Sequence, residues 1–339
     1  MRQNYILENL REHLMTTVSE WWMWLVFLAF VVMMLAIDLF LLGGRKAHRV
    51  STKEALSWTI VWFTLALIFN ILLWWYLIHT SSTQIANEKA LEFLTGYLIE
   101  KSLSIDNVFV ILMIFSYFSI PAEYQRRVLI YGVLGAIVMR LILILLGIWI
   151  VNQFHWVLYL FGFLMIITGI RMIFFAEHEP DLAKNPIFGW MRQHLRITAE
   201  LRGERFFIVH NQLRYVTPLF LVLILVEVSD LIFAVDSIPA IFAVTNDPFI
   251  IFTSNIFAIL GLRALYFLLV NMHSRFHLLK YGLAFILIFV GFKMLIAPWF
   301  KIPIFIALGI VVITLIFCIV LSIYQTSLLA KNKNPPGKM

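Results

Sequence analysis

Residues 216–238 read Val-Thr-Pro-Leu-Phe-Leu-Val-Leu-Ile-Leu-Val-Glu227-Val-Ser-Asp230-Leu-Ile-Phe-Ala-Val-Asp236-Ser237-Ile. The run is long enough to cross a hydrocarbon core of about 30 Å, which takes roughly 20 helical residues. It nevertheless carries carboxylates. An ionised side chain at the centre of a membrane helix costs about 2.5–3.5 kcal/mol on insertion scales. Acids at that depth must therefore face an interior, and must be protonated, paired with bases or bound to cations.

The rest of the chain agrees with a membrane setting. Of its 339 residues, 62% are hydrophobic and 13% charged, against roughly 45–50% and about 25% in soluble domains. Mean hydropathy is +0.92. So few polar side chains could not clothe a soluble protein of this size without large exposed apolar patches. A soluble enzyme, a disordered chain, a collagen-like fibre and a disulfide scaffold are excluded. Cys318 is the single cysteine, so a cysteine zinc site and a protein-ligated iron–sulfur cluster are excluded too.

Nine apolar runs have crossing length, at about 21–42, 57–79, 90–118, 128–151, 155–175, 216–238, 249–270, 279–299 and 302–327. The expected fold is an all-α polytopic membrane protein. Alternate connections and the tail hold seventeen Lys and Arg residues, among them Arg45, Lys46, Arg126, Arg127, Arg192, Arg196 and Arg202. The opposite side holds Arg2, Arg11, Lys89 and Lys301. The positive-inside rule then places the N-terminus outside and the C-terminus in the cytoplasm. The basic balance is that of a cytoplasmic face and not of a nucleic-acid binder. Residues 1–20 read as an extracytoplasmic segment, 21–329 as the membrane domain and 330–339, with Pro335-Pro336-Gly337, as a disordered tail. Trp21, Trp22, Trp24, Trp74, Trp75 and Tyr76 fall where an outer aromatic belt belongs. The loop 176–214 is read as solvated, including His178-Glu-Pro-Asp181, with a short basic surface helix near 188–201.

The chain repeats itself. Glu100-Lys-Ser-Leu-Ser104-Ile-Asp106-Asn107 in the third run matches Asp230-Leu-Ile-Phe-Ala-Val-Asp236-Ser237 in the sixth. Each has an acid, five residues, then Asp and a small hydrogen-bonding residue. The following runs each hold one arginine, Arg140 and Arg263. The runs after those end in Gly169-Ile-Arg171-Met-Ile and Gly291-Phe-Lys293-Met-Leu. On the expected topology the two copies, about 90–175 and 215–299, run in opposite directions. Spans 3–5 and 6–8 form an inverted-topology repeat, the arrangement that puts a transporter's site at mid-membrane between two rocking halves.

Six residues of ideal helix turn through about 600°, so Glu100 and Asp106 point roughly 120° apart. Either the helix unwinds near Ser104–Asn107, or each acid faces a different point of a pathway. Pro239 disfavours regular helix beyond Asp236. Asp106 and Asp236 could instead pair with Arg140 and Arg263 as purely structural bridges. Arg171, Lys293 and Glu227 are further ion-pair or gating candidates. The available donors, Glu100, Asp106, Asn107, Asp230, Asp236 and Ser237, are hard oxygens that suit Mg²⁺, Ca²⁺ or Mn²⁺ and not Cu⁺ or Zn²⁺. These residues lead to a divalent-cation or proton pathway, with no choice among the three metals. No His-Glu-x-x-His and no Gly-x-Ser-x-Gly occurs, so a non-enzymatic role is expected.

At 100–107, 229–240 and 253–263 (Thr-Ser-Asn-Ile-Phe-Ala-Ile-Leu-Gly-Leu-Arg), and around Asp38 and Arg45-Lys46-Ala47-His48, the chain resembles the TerC/Alx family of bacterial membrane proteins. The likeness runs from about 30 to 300. It implies a manganese exporter of the cytoplasmic (inner) membrane, with Glu100, Asp106, Asp230 and Asp236 binding Mn²⁺ as transported substrate and no tightly bound cofactor. Proton exchange is the accompanying expectation. The competing reading is a membrane scaffold of the tellurite or alkaline stress response that recruits partners through 176–214.

Overall fold

The computed structural model describes residues 17–40, 51–154, 156–174, 186–198, 201, 203–210, 213–270, 278–300 and 302–333. The helices are α1 (Trp21–Phe40), α2 (Thr52–Thr80), α3 (Thr83–Tyr117), α4 (Ala122–Gln153), α5 (Val157–Phe174), α6 (Pro186–His194), α7 (Pro218–Phe242), α8 (Pro248–Leu260), α9 (Leu262–Val270), α10 (Leu279–Ile296) and α11 (Ile304–Lys333). Every one of the nine apolar runs falls on helix, the seventh on α8 and α9 together. Among the described residues six segments are by themselves long and apolar enough to cross a membrane: α2, α4, α5, α7, α8 with α9, and residues 304–322 of α11. Residues 1–16, Arg45–Arg49, 175–185 with His178-Glu-Pro-Asp181, and 334–339 lie outside the described residues, as do the side chains of Asp38 and Asp236.

Several helices begin earlier than their apolar runs, because caps and first turns are polar. Ser51 Oγ accepts from Glu54 N at 3.2 Å before α2, and Ser82 Oγ accepts from Ile85 N at 3.3 Å before α3. Each satisfies one of the donors that a helix start leaves free. Asp247 caps α8 through Phe249 N at 3.0 Å, with Pro248 in the first turn. The same carboxylate accepts from Thr17 Oγ1 at 3.0 Å and Val18 N at 2.8 Å, so the segment preceding α1 is tied to this end of the bundle. The aromatic residues expected to form a belt gather there: the Trp22 and Tyr76 rings meet edge-on at 5.6 Å.

The backbone decides one alternative and corrects one expectation: α3 does not unwind at Ser104–Asn107, which leaves the other branch of that alternative, and α7 passes through Pro239 to Phe242. Proline near the last turn removes one donor without preventing helix, because few ladder bonds remain beyond it. The break that does occur lies at Gly261, between α8 and α9. Lys101 Nζ donates to Ala258 O at 3.3 Å beside it.

Apolar but for Thr253, Ser254 and Asn255, α8 is buried on every side: each residue from Phe249 to Leu260 is inside the bundle, as expected of a central helix. Phe27, Phe69 and Phe93 pack against its Phe249, Phe252 and Phe257, with ring centroids such as Phe69–Phe257 at 5.0 Å. The outer faces carry Val26, Ile71, Ile142, Phe163, Ile313 and Phe317 exposed, the surface of a protein solvated by lipid.

The repeat is visible in space as well. α3 packs on α8 while its counterpart α7 packs on α4, and α5 packs along its own counterpart α10. A Cβ on Gly162 would lie 2.9 Å from the carbonyl oxygen of Gly291, and one on Gly169 would lie 2.7 Å from that of Ala284. Since Gly169 corresponds to Gly291 and Gly162 to Ala284, the two contacts exchange when the halves are exchanged. Gly162→Leu is expected to force the backbones apart at a cost of about 1–3 kcal/mol or more. A melting temperature in detergent several degrees below wild type would show it, and an unchanged value would refute the close approach.

One element is absent from the sequence reading. Between α5 and α7, the helix α6 is followed by a hairpin, β1 (Phe207–His210) and β2 (Leu213–Val216), paired antiparallel with Phe207 opposite Val216. Phe-Ile-Val-His and Leu-Arg-Tyr-Val hold the β-branched and aromatic residues that favour strands. Arg127 Nη1 reaches Glu204 at 3.4 Å and anchors the hairpin's approach to α4.

Candidate functional site

Where α3 crosses α7, polar side chains meet at the centre of the bundle. Arg140 of α4 is their hub and is fully buried. Its Nη1 donates to Glu100 Oε1, to Ser237 Oγ at 3.1 Å and to Asn255 Oδ1 at 3.0 Å. Its Nη2 donates to Asp230 Oδ1 at 3.3 Å. Asn107 Nδ2 donates to the same Asp230 oxygen at 3.2 Å, and Asn255 Nδ2 to Glu100 Oε2 at 3.4 Å. Four helices (α3, α4, α7 and α8) thus supply one connected network. A buried pair holds only when its geometry is good and its other hydrogen-bonding sites are satisfied.

The network is incomplete. Asp230 Oδ2 and Asn107 Oδ1 are buried with no hydrogen-bond partner among the described residues. Two carboxylates and one guanidinium also leave one formal negative charge. A cavity of about 50 Å³ borders the cluster, lined by Glu100, Asp106, Asn107, Arg140, Thr168 and Ser237. A water needs roughly 10–15 Å³ on this measure, so there is room for several. A second cavity of about 20 Å³ lies beyond Asn107 and Asp230 and is lined by Ser229, Gly132 and Arg263. Asn107 and Phe233 line both cavities.

Arg140 binds Glu100 and Asp230, so of the purely structural bridges weighed as an alternative, the one between Asp106 and Arg140 is not formed. Glu100, Asp230 and Ser237 serve the guanidinium. Asp106 lines the larger cavity from another level of the same unbroken helix, as the second of the two geometric alternatives requires. Among the described residues no three of His, Cys, Asp and Glu lie close enough to hold a metal ion, because Arg140 stands between the two acids that would begin such a group. Asp236 lies on α7 beside Ser237, and its side chain is outside the description.

Glu227 is not in an ion pair with Arg140. Its carboxylate lies against Gly135 of α4, and its Oε2 lacks a hydrogen-bond partner among the described residues. Arg171 is exposed on α5. Lys293 donates to Ala243 O at 3.1 Å, closing the end of α7. Asn255, Thr168 and Lys101 went unassigned in the sequence reading. Asn255 carried a signal, a lone amide eight positions before Arg263 in an apolar run. Thr168 carried none.

Residues 85–329 match the family described as integral membrane protein TerC family, an interval that begins in α3, encloses both halves of the repeat and ends in α11. The chain belongs to the TerC family. Relatives agree with this over most of their length. A protein of Escherichia coli (strain K12) named "Putative membrane-bound redox modulator Alx" is 57% identical over 297 residues, 88% of this chain and 92% of that one. A namesake from Photorhabdus laumondii is 51% identical over 310 residues, 91% of this chain and 97% of its own length. No solved structure matches. The TerC assignment establishes an integral, multi-pass membrane protein, and the hub on Arg140 lies inside the matched interval.

Proposed function

We propose that this TerC-family protein is an efflux carrier for a divalent cation, with Mn²⁺ as cargo. The observation that carries the proposal is Asp230. One of its oxygens is held by Arg140 and Asn107, and the other is buried without a hydrogen-bond partner among the described residues, in a side chain that lines the cavity of about 20 Å³. A buried anionic oxygen in that position is an acceptor waiting for a cation or a water. The neighbouring oxygens of Asn107 and Asp106 are hard donors of the kind that Mn²⁺ takes. In this reading the nine helical segments cross the cytoplasmic membrane with the N-terminus outside, the two repeats rock against each other, and protons replace the departing ion on the carboxylates. No group transfer is involved, and the protein is a carrier and not an enzyme.

Mn²⁺ is redox-active, so a carrier that sets its level fits the words "redox modulator" in the relatives' name. The decisive measurement is total cell metal by mass spectrometry after a manganese challenge. Cells would express wild type, Asp106→Asn, Asp236→Asn or the double variant at equal membrane levels. Lower manganese with wild type alone, other metals unchanged, is the expected result. Equal manganese in all four would overturn the carrier reading.

The second reading is a membrane scaffold in which the acids only brace the bundle. The Glu100–Arg140–Asp230 network favours it, because those acids already have a cationic partner. It predicts that Asp106→Asn, which touches no ion pair in that network, leaves function intact, while removing residues 186–216 abolishes it.

A further inference from the structure

Lys101 follows Glu100 directly, midway along α3, and the network on Arg140 does not use it. It is partly buried, and no ion pair among the described residues includes it. A cation at that depth is costly unless something stabilises it. What it meets is a carbonyl: Nζ donates to Ala258 O at 3.3 Å, in the last turn of α8. α8 stops at Leu260 and α9 starts at Leu262, and no backbone bond from Leu262 N closes on Ala258 O among the described residues. The lysine therefore donates to a carbonyl whose helical donor is missing, at the end of a helix where free carbonyls and the dipole both attract a cation. Gly261 makes the room. Its φ of −85° is open to any residue, but a Cβ there would collide with Lys101 Nζ.

The repeat supplies an internal comparison. Equating Glu100 with Asp230 pairs Lys101 with Leu231, and equating Arg140 with Arg263 pairs Gly132 with Asn255 and Val138 with Gly261. α3 packs on α8 as α7 packs on α4. Where the packing helix offers a lysine, its partner is broken at glycine. Where it offers Leu231, its partner α4 runs unbroken through Val138, from Ala122 to Gln153. The break and the ammonium occur together in one half and are absent together from the other.

We infer that Lys101 is a tethered cation at the α8–α9 break: the break is a site for a primary ammonium, the chain supplies its own, and through it α3 holds the break in register with the acids. Carbonyl ends of half-helices are where carriers built on inverted repeats bind a coupling cation. Here a side-chain ammonium takes that place. Consecutive helical residues diverge by about 100°, so α3 grips α8 twice, one turn apart: Glu100 through Asn255, and Lys101 through Ala258 O. A shift of α3 at the acids is thereby a shift at the break, and Lys101 is a positioning residue. Its purpose in transport rests on the carrier reading, whereas the site itself does not.

The test is chemical rescue of Lys101→Ala, purified in detergent and reconstituted in manganese-loaded vesicles, with methylammonium or tetramethylammonium chloride at equal concentration. Without either salt the variant is expected to melt several degrees below wild type and to export manganese about tenfold more slowly or worse. Methylammonium, whose N–H groups can donate to Ala258 O, is expected to recover both. Tetramethylammonium has no N–H and is expected to recover neither. Wild type and Lys101→Met, whose side chain fills the slot, should respond to neither salt, and Lys101→Met should stay as impaired as Lys101→Ala. A second comparison needs no transport. Gly261→Ala is expected to lower membrane level and melting temperature by ejecting the ammonium, and Lys101→Ala combined with Gly261→Ala is expected to exceed Gly261→Ala alone in both. Lys101→Met as stable as wild type, recovery by both salts or by neither, or a double variant no better than Gly261→Ala would each overturn the inference. Selective recovery of the melting temperature in a protein whose wild type moves no manganese would uphold the tethered cation and defeat the carrier reading. Manganese export by wild type with no recovery in Lys101→Ala would do the reverse.

Discussion

Arg140→Ala is expected to remove most of the protein from the membrane, or to leave a form that melts far below wild type. Truncation would strand Glu100 and Asp230, buried to 0% and 8% exposure, without their shared guanidinium. Removing one partner of a buried ion pair costs about 3–5 kcal/mol, a large part of the roughly 5–15 kcal/mol that holds a typical protein folded. The loss arises from uncompensated charge and not from lost volume, so neutralising a carboxylate should recover much of it. Arg140→Ala combined with Glu100→Gln is therefore expected to accumulate better than Arg140→Ala alone. Quantified membrane levels and detergent melting curves for the two variants give the comparison. A single variant as stable as wild type would mean that the hub does not brace the four helices.

Asp230→Asn is expected to have the opposite character, a folded protein that does not export. The amide keeps an oxygen to accept from Arg140 and Asn107, and it fills the same space. It loses the charge and the free carboxylate oxygen. If Asp230 ligates the cargo as proposed, its loss should weaken cation binding at least as much as loss of an outer-shell partner, which costs about 10–100-fold. Manganese efflux is expected to fall at least about tenfold at unchanged membrane level. Efflux equal to wild type would remove Asp230 from the pathway and leave Asp106 as the acid to pursue.

Helix positions, the membrane setting and the repeat were all legible in the sequence because each is written in local composition. A hydrophobic run of crossing length announces a helix wherever it occurs, and three matched motifs in one order announce a duplication. The partners of Arg140 were not legible. They depend on how far α3, α4 and α7 are rotated about their own axes, which no single helix encodes. Asp106 lies six positions from Glu100, and the structural-bridge alternative gave the arginine to it. About 120° of helical rotation separates the two, and it gives Arg140 to Glu100. The Gly261 break was hidden for a related reason, since a glycine within an apolar run marks a break in one helix and close packing in another. At Gly162 and Gly291 the same residue marks the approach of two backbones.

The reciprocal contacts of α5 and α10 have a consequence for how such a molecule could arise. Contacts that interchange when the halves interchange are those of an antiparallel homodimer, here built into one polypeptide. A half-length ancestor would have had to insert in both orientations, which requires a weak charge bias in its loops. Joining two copies removes that requirement. The basic connection between them, with Arg192, Arg196, Arg202, Arg205 and Arg214, is then free to fix a single orientation for the whole chain. The two halves can afterwards diverge, as Asn255 has from Gly132, while the glycine seam keeps the record of their common origin.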